Sequence, residues 1–287
     1  MDLSIIIVNY NVRKYLLRCL GSLFNATEGI TFEVIIIDNA SSDGSVEALR
    51  KNSPQVKLIA NPDNAGFAKA NNQGIRLARG RNILLLNPDT EIVDDSLERM
   101  ARFLDQNEKA GICGPILMNA DGSIQNMGYK FPAVSSFFNS RLIRAEAADR
   151  PYEADWIQGA CLMVKRGLLE EVGDLDEKYF LYGEEKDLCF RAKAAGWKVL
   201  VLPDCGIIHH SSKSTRDCES FAFVEYHRSQ AYFLKKYYPK WFRVLAGYSM
   251  FLNILKSKIA LSLFRGHNWR GKSEVFGSVL KWYKNER

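Results

Sequence analysis

Four short runs of almost unbroken apolar residues, each parted from the next by a stretch with helical spacing, constrain this chain more than any other feature. The runs are Leu3–Val8, Val34–Ile37, Lys57–Ala60 and Ile83–Leu86, with starts 31, 23 and 26 residues apart. Between them, Lys14–Phe24, Ser45–Lys51 and Ala68–Arg79 repeat apolar residues at the period of an α-helix. A strand that is apolar on both faces belongs in a parallel sheet with helices packed on each side. Ligands of such sheets bind beyond the carboxyl ends of the strands. The residues that follow each run therefore carry the first functional information.

Every run is followed by polar residues: Asn9-Tyr10-Asn11, then Asp38 through Gly44, then Asn61 through Gly66, then Asn87-Pro88-Asp89. Any one of these is an ordinary turn; four on one sheet edge, with recurring carboxylates, predict a polar site. Asp38 is suited to accept a hydrogen bond from a nucleobase imide. Ser41, Ser42 and Asp43 are placed to cap the next helix, whose amino end favours anions. Asn64 through Asn72 opens a helix with Gly66 and brings Lys69 and two adjacent amides, a set suited to a pyrophosphate or a sugar. The P-loop pattern and the G-x-G-x-x-G dinucleotide pattern are both absent, which disfavours those sites. Asp89, a lone carboxylate past a buried strand, suits a hard cation such as Mg2+ or Mn2+. A later imidazole, His209 or His210, would add a ligand.

Further along, Gly111 to Gly173 reads as short strands and loops punctuated by Pro115, Gly122, Gly128 and Pro132, with Arg141–Pro151 as an excursion. A helix is expected from Glu184 to just before Gly196, and a strand over Trp197–Leu202. The helix opens on Glu184-Glu185-Lys186-Asp187. First-turn acids oppose the positive helix end, and Asp187 can pair with Arg191 four residues on. Adjacent carboxylates also offer a general base.

Charge is divided. Residues from Lys213 onward hold 15 Lys/Arg against 5 Asp/Glu, a balance of +10, and the rest of the +6 chain therefore carries −4. No nucleic-acid motif accompanies the basic tail, so nucleic acid is not an expected partner. The tail instead mixes lysines with aromatic residues and an apolar stretch over Val244–Phe264, a composition suited to an anionic membrane surface or to packing on the body. That stretch is interrupted by Asn253, Lys256 and Lys258, and no run reaches the ~18 apolar residues a bilayer span needs. Six scattered cysteines without a C-x-x-C pair read as reduced thiols, and no basic n-region precedes the first apolar run. A cytoplasmic protein, peripheral on the inner face of the membrane, is the expectation.

Seven segments in series carry a resemblance to a known family: Ser4–Asn11 (SIIIVNYN), Val34–Ser45 (VIIIDNASSDGS), Asn64–Asn72 (NAGFAKANN), Leu84–Asp89 (LLLNPD), Asp155–Ala160 (DWIQGA), Gly173–Asp187 (GDLDEKYFLYGEEKD) and His209–Thr215 (HHSSKST). The chain resembles a family 2 glycosyltransferase of the GT-A fold, in the rhamnosyltransferase-like bacterial branch. The resemblance implies an α/β fold, a Rossmann-like and mostly parallel central sheet flanked by helices, over residues 1–215. Residues 216–287 would be a C-terminal helical extension. It also implies an inverting, metal-dependent, non-processive transfer of one sugar from a nucleotide-diphosphate sugar to a glycan or lipid-linked acceptor, in cell-surface polysaccharide synthesis. The nearest branch implies dTDP-rhamnose, with UDP- and GDP-sugars as alternatives.

Carried over residue by residue, the nucleotide-sugar set is Val8, Asn9, Tyr10, Asp38, Ser41, Asn64, Gly66, Lys69, Asn72 and Asn87. Asp89 stands for the metal carboxylate of the family's Asp-x-Asp motif, and His209 for its late imidazole, with His210 as runner-up. Trp156, Gly159, Ala160 and Glu184 border the acceptor. The family's Glu-Asp pair reads Glu184-Glu185 here, so Glu185 is the expected base and Asp187 the alternative. The Gln-x-x-Arg-Trp motif of processive synthases is absent. A nucleotidyltransferase and a sugar-nucleotide-binding module without catalysis are the competing readings, and the oligomeric state is left open.

Overall fold

The computed structural model describes residues 1–27, 29–125, 128–133, 150–210 and 219–249. Most of the Arg141–Pro151 excursion, Cys218, the Ser211–Thr215 end of the last motif and the tail beyond Ser249 lie outside the described residues.

The four apolar runs form strands, and the intervening segments form helices, because each helix buries one stripe against a sheet whose strands are apolar on both faces. In chain order they are β1 (Leu3–Asn9), α1 (Arg13–Ala26), β2 (Phe32–Asp38), α2 (Ser45–Asn52), β3 (Lys57–Ala60), α3 (Phe67–Leu77) and β4 (Asn82–Leu86). The pairings β3–β2, β2–β1 and β1–β4 are all parallel, with Asn9 level with Asp38 at the carboxyl edge. β1 is buried at every position. At roughly 25 cal/mol per Å2 of apolar surface, each of its isoleucines contributes on the order of 2 kcal/mol to folding.

Past Leu86 the chain is more regular than its glycines and prolines predict. β5 (Thr90–Ile92), α4 (Ser96–Gln106), β6 (Ala110–Met118), β7 (Gly128–Tyr129), β8 (Tyr152–Glu153), β9 (Trp156–Ile157), β10 (Cys161–Lys165) and α5 (Arg166–Val172) precede α6 (Glu184–Ala194), β11 (Lys198–His209) and α7 (Glu219–Tyr237). The main sheet runs β3-β2-β1-β4-β10-β6-β11-β5, with β8 on β11. Its second half is mixed, because β10 runs antiparallel to both β4 and β6 while β11 is parallel to β6. β11 continues seven residues beyond the expected Leu202. Pro203 and Asp204 fall in a register irregularity between Leu202 and Gly206, so the strand absorbs them and resumes pairing with β6 and β5. As a result His209 ends a strand, level with Thr90, instead of following one.

The chain divides into two units, one holding the sheet with α1 to α6, the other holding α7 and the helical residues 240–249. Within the second, Ser229 Oγ donates to the Leu181 carbonyl at 2.9 Å, and Phe233 is fully buried. Among the described residues no helix is long and apolar enough to cross a membrane. Cys19, Cys113, Cys161, Cys189 and Cys205 are unbridged and buried, and burial pushes the Cys19, Cys189 and Cys205 thiols up to about 12.

Candidate active site

The carboxyl edge of the parallel half is stitched together by side chains from two loops. Asp38 is 1% exposed; its Oδ2 accepts from Asn9 Nδ2 at 2.7 Å and its Oδ1 from the Ser41 amide at 2.8 Å. Ser41 Oγ accepts from Asn9 Nδ2 and from the Asn11 amide, while Asn11 Oδ1 accepts from the Ser42 amide. Asn11 and Ala40 both hold positive φ, 54° and 64°, a conformation that non-glycine residues rarely adopt outside functional sites. Ser41 and Ser42 therefore do not cap α2. Gly44 is its N-cap residue, and Asp43 accepts from the Ser45 amide at 3.1 Å. Asn9 Oδ1 is buried and lacks a hydrogen-bond partner.

The third loop joins this edge through a residue the sequence did not single out. Asn39 donates to Asn64 Oδ1 and to the Gly66 carbonyl, both at 3.2 Å. Gly66, at φ 84°, lets the chain pass against Phe180: a Cβ there would stand 2.8 Å from the Phe180 ring and 2.9 Å from its carbonyl oxygen. Lys69 lies exposed on the first turn of α3. Asn72 goes elsewhere; its amide bonds both the carbonyl and the amide of Leu175, and Glu177 Oε1 as well.

At the end of β4, Asp89 is 4% exposed, and its Oδ1 lies 3.5 Å from Nε2 of the equally buried His209. The other imidazole nitrogen, Nδ1, faces Gln125 Oε1 at 3.0 Å. Gln125 Nε2 donates to Asn119 Oδ1 and to the His209 carbonyl, which fixes Oε1 toward the ring. An amide oxygen only accepts, so Nδ1 carries the hydrogen that faces it, and Nε2 is the ring nitrogen turned toward Asp89. His210 turns away and bonds Glu91, though its amide donates to the Asp89 carbonyl at 2.9 Å. Among the described residues no three His, Cys, Asp or Glu side chains gather as a ready-made metal cage.

The Asn87 amide donates to the Ala160 carbonyl at 2.9 Å, which seats the Asn87-Pro88-Asp89 turn beside the Gly159-Ala160 pair. Gly159 in turn lies against Glu185: a Cβ on Gly159 would stand 3.3 Å from the Glu185 Cβ. One run of contacts thus links Asp89 to Glu185. Glu184 is 5% exposed with Oε2 buried and unpartnered. Burial first, then the charge of Glu185 and a hydrogen bond to it, hold the Glu184 carboxyl well above the usual carboxylate range. Helix capping does not account for so buried an acid. Burial pushes the neighbouring Lys186 down to about 8, against the pull of Glu185, and its Nζ stands 5.7 Å from the Trp156 ring. Trp156 stacks on Tyr129 at 4.3 Å. Asp187 makes the pair expected of it. It is wholly buried, bonds Arg191 Nε at 2.8 Å and lies 3.4 Å from the Tyr179 hydroxyl.

Gln125, Asn39, Lys186 and Tyr129 are the site neighbours that sequence reasoning missed. Asn39 and Lys186 carried a local signal, through their places in the Asp38–Gly44 loop and the Glu184–Asp187 cluster. Gln125 and Tyr129 are identified only by partners far along the chain.

A glycosyl transferase family 2 model matches residues 4–173. The chain is 28% identical over 268 residues to N-acetylglucosaminyl-diphospho-decaprenol L-rhamnosyltransferase of Mycobacterium tuberculosis, covering 84% of this chain and 86% of that one. It is 27% identical over 219 residues to the dTDP-rhamnosyl transferase RfbF of Shigella flexneri, covering 74% and 71%. Among solved structures, the mannosyltransferase PcManGT of Pyrobaculum calidifontis, in complex with GDP-Man and Mn2+, superposes with a TM-score of 0.62 at 18% identity, over 99% of this chain and 81% of that one. The sheet order and the flanking helices are those of the GT-A fold. This chain belongs to glycosyl transferase family 2 and is a rhamnosyltransferase-like glycosyltransferase that uses a nucleotide-sugar donor.

Proposed function

We propose that the chain moves one sugar, with inversion, from a nucleoside-diphosphate donor to a hydroxyl of a lipid-linked saccharide at the inner face of the cytoplasmic membrane, in cell-surface polysaccharide synthesis. The donor assigned is dTDP-rhamnose, in keeping with the names of the two rhamnosyltransferase relatives. The observation that carries the reading is the run of contacts from Asp89 through Asn87, Ala160 and Gly159 to Glu185. It supports reading Asp89 as the carboxylate that takes a cation and Glu185 as the proton acceptor, with the acceptor sugar between them.

The Asp89–His209 pair fits a divalent ion. One carboxylate and one oriented imidazole are a donor set suited to Mn2+ or Mg2+, which leave their remaining positions to water and substrate phosphates. Asp89 Oδ1 and His209 Nε2 stand 3.5 Å apart, both buried, while Gln125 holds the other side of the ring. Bound there, the ion would neutralise charge on the departing diphosphate. Asp89 and His209 hold that position, and Gln125 keeps the imidazole in the ligating tautomer. Asn9, Tyr10, Asp38 and Ser41 form the base and ribose pocket together with Val8. The buried, unpartnered Asn9 Oδ1 supports this, since such an acceptor calls for a donor from a ligand or water. Asn64, Gly66, Lys69 and Asn87 face the diphospho-sugar. Asn72 supports them by holding α3 to the Leu175 segment.

Glu185 takes the proton from the acceptor hydroxyl. Glu184 remains neutral beside it and borders the acceptor with Trp156 and Gly159. Asp187 is assigned a structural part because its carboxylate neutralises Arg191, whose guanidinium also holds the Val172, Gly173 and Asp174 carbonyls. Asp187→Asn is expected to cost about 3 kcal/mol, the usual penalty for stranding one member of a buried pair, and to lower the denaturation midpoint. The same variant should leave the pH profile of transfer unmoved. Loss of transfer at unchanged stability would return the base role to Asp187.

The donor assignment is tested by melting the protein with a panel of dTDP-, UDP- and GDP-sugars, each with and without Mn2+. A ligand that binds only the folded state raises its stability, by about 2.7 kcal/mol at a hundredfold excess over Kd. dTDP-rhamnose with Mn2+ should raise the midpoint most; a larger rise with a UDP- or GDP-sugar would replace it.

A further inference from the structure

Four of the ten large apolar residues exposed among the described residues stand on one short helix: Trp241 at 58%, Val244 at 61%, Leu245 at 48% and Tyr248 at 66%. Residues 240–249 are helical. Positions 241, 244, 245 and 248 follow the i, i+3, i+4, i+7 spacing that gathers side chains into one stripe. A flanking side of the helix is anchored. Phe242 is 4% exposed and stacks on Tyr238 at 4.5 Å, and Tyr238 meets the buried Phe233 of α7. With Phe242 turned inward, the stripe faces out.

The charge around this stripe is of one sign. Lys235 and Lys236 close α7, Lys240 opens the next helix, and Arg243 lies between the stripe residues. No Asp or Glu occurs from Tyr226 to Ser249. A protein partner with an apolar hot spot would not require this excess of cations. An anionic bilayer does, because its headgroups attract Lys and Arg while its acyl boundary takes up the apolar face. Trp and Tyr are the residue types that settle at that boundary, their ring bodies in the apolar layer and their polar ends toward water.

We infer that residues 240–249 form an interfacial anchor, with Trp241, Val244, Leu245 and Tyr248 lying in the outer layer of an anionic bilayer and Lys235, Lys236, Lys240 and Arg243 at its headgroups. The inference deepens the lipid-linked-acceptor reading above, since it gives that acceptor's membrane a surface to meet. Its test contains no donor and no sugar, so it can fail while transfer stands, and the reverse.

The full chain is mixed with phosphatidylglycerol–phosphatidylcholine vesicles and, separately, with pure phosphatidylcholine vesicles, and partition is read by sedimentation. Binding is expected with the anionic vesicles and is expected to weaken as salt rises. The double variant Trp241→Ser, Tyr248→Ser should lower the partition coefficient at least about tenfold. The double variant Lys240→Gln, Arg243→Gln should lower it about thirtyfold on anionic vesicles at low salt, and little on neutral ones. Lys240, Trp241 and Tyr248 are exposed and Arg243 is half-buried, so an unchanged melting midpoint verifies that each variant folds. Equal partition of the wild type and the Trp241/Tyr248 variant would overturn the inference. So would a concentration-dependent dimer that the same substitutions dissolve, in a protein that ignores vesicles, because the stripe would then be covered by a second copy.

Discussion

Asp89→Ala is expected to lower kcat by about a thousandfold or more, the scale set by the several kcal/mol a divalent ion contributes to a departing phosphate. The carboxylate is 4% exposed at the end of β4, so its loss would leave His209 as the one remaining member of the proposed ligand pair. The backbone of the turn is held independently of the side chain, since the His210 amide donates to the Asp89 carbonyl and the Asn87 amide to Ala160. The fold should therefore survive, and melting in the absence of ligand should be close to wild type. Mn2+ should no longer add to the stabilisation that a sugar nucleotide confers. A variant that keeps its turnover and its response to Mn2+ would show that the ion is held elsewhere or not needed.

Glu185→Gln should stop transfer while sparing donor binding. General-base catalysis contributes roughly a hundredfold to ten-thousandfold, and an amide of the same shape supplies none of it. The Gln side chain still packs against Gly159, so the acceptor pocket keeps its form. The residual kcat/KM of the variant should follow a pH profile different from that of the wild type. Glu184→Gln makes a useful contrast. Burial and its neighbour's charge raise the Glu184 carboxyl well above the usual carboxylate range, which favours the uncharged form that Gln mimics. It should act on acceptor KM more than on kcat. Near-normal product formation by Glu185→Gln would remove Glu185 from the mechanism.

The parallel half of the sheet was legible because its signal is local. β1 to β4 fall within one or two residues of their apolar runs, and the polar residues after them do lie at one edge. The mixed half was not legible, because its order is set by pairings between distant segments. β10 slots between β4 and β6, and nothing in Cys161–Lys165 announces either neighbour. Pro203-Asp204 reads as a strand end, but partners on both sides carry β11 past it, which moves His209 into the sheet. At the proposed site, motif order pointed to Asp89, His209 and Glu185, and the fold brings Asp89 and His209 within 3.5 Å. The 84-residue separation of Gln125 from His209 hid the residue that fixes the imidazole. Burial was hidden too. Glu184 and Asp187 look alike beside a helix start, yet one is a buried acid raised well above the usual carboxylate range and the other is an ion-paired clasp on Arg191.

Metal-dependent transfer of one sugar is tested by a single incubation of the full chain with dTDP-rhamnose, Mn2+ and an N-acetylglucosaminyl-diphospho-polyprenol acceptor, with both products quantified. Nucleoside diphosphate and glycosylated acceptor should form in equal amounts, with one sugar per acceptor, an anomeric configuration opposite to the donor's, and no product after chelation of the metal. Release of pyrophosphate, retention of configuration, or undiminished transfer in the presence of chelator would contradict this reading.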